Sequence, residues 1–342
     1  MKFLWIIGLG LLWGLSACTC DKDEQVQEEV PYVLVDTDLG GCTDDLFALS
    51  MLHQYMAEGR CRLMGVVVDR PGEENAAMAD VLNTYYGHPF VPLALARGGV
   101  EETEVWTDYS AMPEWTDASG RPLYERTLRE YSSLPDGWQL YRRLLAAAPD
   151  GRVRICSIGF VNVLASLLQS QGDACSPLSG VELVRRKVEC LYIMAGSFGD
   201  VPQVEYNLSR CMEASRAFFD LWPPEVPICF SPTEVGEAID YPVDEVLADL
   251  AAAERHPIRQ VYQRCTIDEG QRMWDPLAVM QAVEGDSLFR LSAHGFVTMD
   301  DSARTCFMPH AQGRSRYQLP GTAAWCREML DRIRRAIASA AS

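Results

Sequence analysis

Six short, almost unbroken apolar runs limit most tightly what this chain can fold into: residues 32–35, 63–68, 91–96, 153–156, 191–194 and 226–230. A strand that is apolar on both faces has to be covered on both faces. Longer amphipathic stretches separate the runs. Residues 43–55, 75–86, 162–169 and 211–221 read as helices, the first with Thr43 as N-cap. Strands buried on both sides and alternating with helices predict an α/β protein: a mostly parallel open sheet with helices on both faces. Residues 296–317 alternate and carry turn signals, which predicts a small hairpin, and residues 325–338 read as a closing amphipathic helix. Residues 108–137 break the rhythm. They are rich in Pro, Ser, Gly and aromatics, Trp115 and Tyr124 among them, and read either as a lid over a site or as a long surface excursion.

The chain has 342 residues, 48% of them hydrophobic and 23% charged, enough for a sizeable core. Its formal net charge of -18 repels phosphate backbones, so nucleic acid is not an expected partner, whereas small neutral or cationic ligands and metal ions are compatible with it. At the N-terminus, Lys2 precedes an apolar run over residues 3–15, followed by small residues and Cys18. That run is shorter than the ~20 residues a bilayer span needs and reads as a signal peptide over residues 1–17. The ending Leu15-Ser16-Ala17-Cys18 resembles a bacterial lipobox. The likeness implies lipid on Cys18 and attachment to a membrane of the bacterial cell envelope, periplasmic or at the outer-membrane surface. Ordinary secretion with cleavage nearby is the alternative. Residues 18–30 then form an acidic tether before a single domain at 31–342. The twelve cysteines are irregularly spaced without a Cys-x-x-Cys pair, so buried free thiols or a few incidental bridges are expected, not a zinc site.

Residues 33–49 read VLVDTDLGGCTDDLFAL. A strand feeds into Asp36 and Asp38, Gly40-Gly41 lets the chain reverse, and Asp44 and Asp45 open a helix. Ligands of parallel sheets lie beyond the carboxyl ends of the strands, so this segment brings up to four carboxylates to that edge. Crowded like charges call for a cation, and oxygen-only donors suit Ca²⁺ or Mg²⁺ rather than zinc. Asp at a helix start is also favoured by capping alone, but the whole strand, Asp-x-Asp, glycine turn, Asp-Asp, helix pattern is much rarer.

This segment resembles the signature of the inosine-uridine-preferring nucleoside hydrolases, in a variant with two extra residues between the glycine and the Asp pair. Four later stretches match in order: residues 65–87, 157–164 (SIGFVNVL), 194–207 (MAGSFGDVPQVEYN) and Trp274-Asp275-Pro276. The resemblance spans about Pro31 to Tyr317 and implies a Rossmann-like nucleoside hydrolase fold. It also implies Ca²⁺ held by Asp38, Asp45, Asp275 and the Val161 carbonyl. Asp38 would be the base toward a Ca²⁺-oriented water, and Asp44, Glu205 and Asn207 would bind ribose. The implied activity is hydrolysis of the N-glycosidic bond of a ribonucleoside or related riboside, in salvage outside the cytoplasm, by a chain that could form a homo-oligomer.

The sequence departs from that pattern. Trp274 stands where many members have a leaving-group histidine, and indole is no proton donor at neutral pH, so this catalytic position either stacks on the base or packs. Asp69 stands at a sugar-binding position usually held by Asn, and Cys42 replaces a residue that is often acidic. None of the five histidines takes the acid role by spacing: His53 and His88 lie in or after helices, and His256, His294 and His310 in C-terminal loops. Two other readings stand beside the hydrolase. One is a non-catalytic calcium-dependent nucleoside- or sugar-binding lipoprotein. The other is a phosphatase of the haloacid dehalogenase type, which leaves the Asp-Asp pair and the Glu-x-Asn stretch unexplained.

Overall fold

The computed structural model describes residues 30–100, 103–267 and 269–339. The signal peptide, Cys18 and all of the tether but Val30 lie outside the described residues. The first half contains β1 (Tyr32–Thr37), α1 (Asp44–Ala57), β2 (Arg62–Val68), α2 (Glu73–Tyr85), β3 (Leu93–Leu95), α3 (Gly137–Ala147), β4 (Val153–Ser157), α4 (Asn162–Gln169), α5 (Gly180–Lys187) and β5 (Val188–Met194). Then follow α6 (Tyr206–Ser209), α7 (Met212–Leu221), β6 (Ile228–Ser231), α8 (Thr233–Glu237), β7 (Asp240–Tyr241), α9 (Val243–Asp249), α10 (Pro257–Arg264), β8 (Gln271–Arg272), α11 (Trp274–Glu284), β9 (Gly295–Met299), β10 (Thr305–Pro309), β11 (Ser315–Tyr317) and α12 (Ala323–Ser339).

Nine strands form one sheet in the order β10-β9-β11-β6-β5-β4-β1-β2-β3. From β11 to β3 every pairing is parallel; the β9–β10 hairpin adds the antiparallel edge. The order reverses between β1 and β4, and in open α/β sheets that switch point opens a crevice for ligands. Pleating sends alternate residues of β1 to opposite cores. Val33 and Val35 pack with α1, α2, α11 and α12, and Leu34 packs with α3, α4, α5 and α7. The sheet is therefore covered on both faces, as the apolar runs require.

β1 runs two residues beyond the apolar run because Asp36 is tied down inside the sheet. Tyr141 Oη donates to its Oδ2 at 2.6 Å and Ser157 Oγ to its Oδ1 at 2.5 Å. β3 is shorter than its run, since Pro92 has no N–H to give the ladder. Residues 108–137 are not a lid over the carboxylates. Tyr109 Oη bonds the β1–α1 turn, accepting from Gly40 N at 3.0 Å and donating to Cys42 O at 2.6 Å, Trp115 lies under Arg264 of α10, and residues 127–131 pack on α2, where Asp80 accepts from the Thr127 and Leu128 amides and from Tyr131 Oη, all at 2.9 Å. All ten cysteines among the described residues are free thiols. No helix among the described residues is long and apolar enough to cross a membrane.

Candidate active site

Beyond the carboxyl end of β1 the chain turns through Gly40 and Gly41 into α1, which puts Asp44 and Asp45 in that helix's first turn. Asp275 occupies the first turn of α11, which packs beside α1. The two helix N-termini thus aim partial positive charge at the same spot. One carboxylate oxygen from each of Asp44, Asp45 and Asp275 lies within 4.8 Å of the others, and all three residues are buried. Burial pushes Asp44 up to about 7, and drives Asp45 and Asp275 well above the carboxylate range, with neighbouring carboxylates adding to it. Such a set is costly without a counter-charge. Three converging buried oxygen donors fit a hard divalent cation of the calcium class.

Asp38 lies a short way off this trio and is held differently. Arg70, directly after β2, donates Nε to the Asp38 carbonyl at 2.9 Å and faces Asp38 Oδ2 with Nη2 at 3.3 Å. Burial raises the Asp38 pKa while the guanidinium opposes it. Gly41 makes this possible, since a Cβ there would stand 2.1 Å from Arg70 Nη2. The other Arg70 nitrogens hold residues 103–107 across the turn: Nη1 bonds Thr103 Oγ1 at 2.5 Å, and Trp106 N reaches Gly41 O at 2.9 Å.

Asp38, Asp44, Asp45, Glu205, Asn207, Trp274 and Asp275 all face one cavity of about 460 Å³. Glu205 caps α6, accepting from the Asn207 and Leu208 amides at 3.2 and 2.8 Å, and burial pushes it up to about 7. Asn207 Nδ2 is fixed on the Met194 carbonyl at the end of β5, 3.2 Å away. Trp274 lines the wall with its indole N–H bonded to the Thr233 carbonyl at 3.1 Å. A wider hollow of about 810 Å³ lies across Arg70, but it holds none of the converging aspartates.

Asp69 is set back from the cavity wall. Asp69 is fully buried with neither carboxylate oxygen partnered, and it is absent from the cavity wall. It lies behind Asp38, since a Cβ on Gly159 would stand 2.4 Å from both Asp69 Oδ2 and the Asp38 amide nitrogen. The Val161 carbonyl accepts the Ala165 amide at 2.8 Å as α4 begins. Sequence reasoning missed Arg70 and Trp106. Trp106 is 55% exposed, lines the cavity and meets Tyr206 edge-on at 4.8 Å.

No protein-family model and no curated protein matches the sequence. Solved structures do match in shape. The inosine-uridine preferring nucleoside hydrolase from Bacillus anthracis superposes with a TM-score of 0.66 at 16% identity, over 90% of this chain and 100% of that one. The chain has the nucleoside hydrolase fold. A purine-preferring ribonucleoside hydrolase from Gardnerella vaginalis gives 0.65 at 15% identity, over 91% and 99%. The type III effector XopQ, solved with adenosine diphosphate ribose, gives 0.66 at 16%, over 92% and 95%. At these identities the likeness is one of fold. Within the nucleoside hydrolase fold the carboxylates stand where an α/β sheet builds ligand sites, at the ends of its parallel strands.

Proposed function

We propose that this protein is a divalent-cation-dependent hydrolase of the N-glycosidic bond of ribonucleosides or related ribosides. The observation that carries the reading is the meeting of Asp38, Asp44, Asp45 and Asp275 with Glu205 and Asn207 around one cavity at the switch point. Asp44, Asp45 and Asp275 would hold the cation, with Asp38 and the Val161 carbonyl beside them. When bound, calcium would fix a water and make it more acidic. Asp38 would accept a proton from the attacking water, and Arg70 favours the ionised carboxylate that this requires. Glu205 and Asn207 are locked by backbone partners and meet the sugar hydroxyls without reorganising. The carboxylates favour the positive charge that grows on the ribosyl ring as the base departs. Trp106 and Trp274 line the cavity and would pack against the base.

Incubating the purified mature chain with a panel of nucleosides, with calcium and with chelator, tests this. Free base and ribose should appear with calcium alone; no release with calcium restored refutes it. The commitment of the Trp274 N–H to Thr233 favours a second reading, a calcium-dependent binder without turnover. Calcium-dependent ligand binding with no product is its signature. Residues 1–17 and Cys18 further support export and lipid anchoring, which labelled palmitate incorporation, lost in Cys18→Ala, would test.

A further inference from the structure

A neutral nucleobase leaves as an anion unless something protonates it, and the buried groups of the cavity that could do so are engaged elsewhere. No histidine lines it among the described residues. The Trp274 N–H is taken by Thr233, and both Glu205 oxygens accept backbone amides. Tyr206 Oη accepts the Glu104 amide at 3.0 Å, and the Cys42 thiol donates to Gln271 Oε1 at 3.3 Å.

The charge of the cavity points the same way. Seven carboxylates and one guanidinium line it among the described residues. The guanidinium, Arg272, is paired with Asp240 at 3.3 Å. A divalent ion on Asp44, Asp45 and Asp275 offsets two negative charges, and Arg70 answers Asp38. The exposed Glu237 and Glu269 remain, so the lining stays negative. Trp106 and Trp274 also line the cavity, and indole is the strongest aromatic partner for a cation.

Building on the hydrolase reading, we propose that the preferred substrate is an N-riboside whose base carries a fixed positive charge, of the pyridinium or 7-alkylpurinium class. Its chemistry suits a site without a leaving-group acid. The C1′–N bond breaks and its electron pair returns to the ring nitrogen, so the base departs neutral. The water oxygen bonds to C1′, and the water's proton passes to Asp38 and then to solvent. One cation and one water give neutral base, ribose and one proton.

The test compares nicotinamide riboside and 7-methylguanosine with inosine, guanosine and ADP-ribose at pH 6 in calcium, each rate divided by its spontaneous hydrolysis. A parallel binding titration compares 1-methylnicotinamide, which has no ribosyl bond to break, with nicotinamide. The cationic ribosides should show the larger enhancement, and 1-methylnicotinamide should bind about tenfold tighter. In the Glu237→Gln/Glu269→Gln double variant, the cationic-to-neutral ratio should fall by about tenfold. Equal enhancement of guanosine, or preference for ADP-ribose, overturns this proposal and leaves the hydrolase reading standing. Turnover of none of the ribosides overturns both.

Discussion

Asp38 and the Asp44, Asp45, Asp275 trio face the same cavity but solve the problem of buried charge in different ways. Among the described residues the trio has no cationic side chain bonded to it, whereas Asp38 has Arg70, itself only 5% exposed. Removing one partner of a buried pair strands the other, at about 3 kcal/mol. Arg70→Met should therefore lower stability by about that amount in urea unfolding. It should also lower kcat more than it raises KM, because a less readily ionised Asp38 is a poorer base. Arg70→Lys should recover little, since a single ammonium cannot reach Asp38, Thr103 and Glu104 at once. Asp45→Asn should behave in the opposite sense. Asn keeps the oxygen that accepts from Thr37 and removes a buried charge. Calcium affinity by calorimetry should fall about 100-fold, while the melting temperature in chelator holds or rises.

At the scale of elements, the turn from β1 into α1 and the segment at residues 103–107 form one unit bolted together by Arg70. Gly41→Ala puts a methyl into the guanidinium and should cost about 2 kcal/mol. A thermal melt and a calcium titration should move together, since the same contact fixes the turn that carries the trio. The sequence made the β1–α1 half of this unit legible because strand, turn and helix start are contiguous and each leaves a local mark. It hid the rest. Arg70 reads as a surface residue after a strand; only its place at the carboxyl end of β2, next to β1, hints at the site. α11 was missed because it is buried nearly all round and so shows no amphipathic stripe, and because its Asp275-Pro276 start reads equally as a turn. Asp69 was placed by motif at the sugar, whereas the fold closes Gly159 over it.

Across the whole molecule, the carboxylate cluster is supported by two cores, and the core on the α1 side contains a second set of buried titratable groups. His53 of α1 meets His88 through Nδ1 at 3.1 Å and lies over Tyr86 at 5.2 Å, and Tyr86 Oη reaches His256 Nε2 at 3.2 Å. Tyr85 faces the His256 ring from the same helix. Among the described residues no carboxylate is bonded to these imidazoles, and burial lowers His53 to about 3 and His256 to about 4. Both are therefore neutral in the fold and protonate near 6.5 once unfolded. The unfolded chain takes up more protons below that value, so their contribution to stability is complete above pH 6.5 and declines as the pH falls toward 4 and 3. At pH 5 each histidine should cost about 2 kcal/mol relative to pH 7. Urea unfolding at pH 7, 6 and 5 measures this, and the carboxylates near the cation site contribute equally to any variant that spares them. His53→Gln should therefore flatten the dependence on pH between 6 and 5 by about 1.4 kcal/mol per unit. An unchanged slope would mean that the His53–His88 pair opens to solvent before the rest of the protein unfolds.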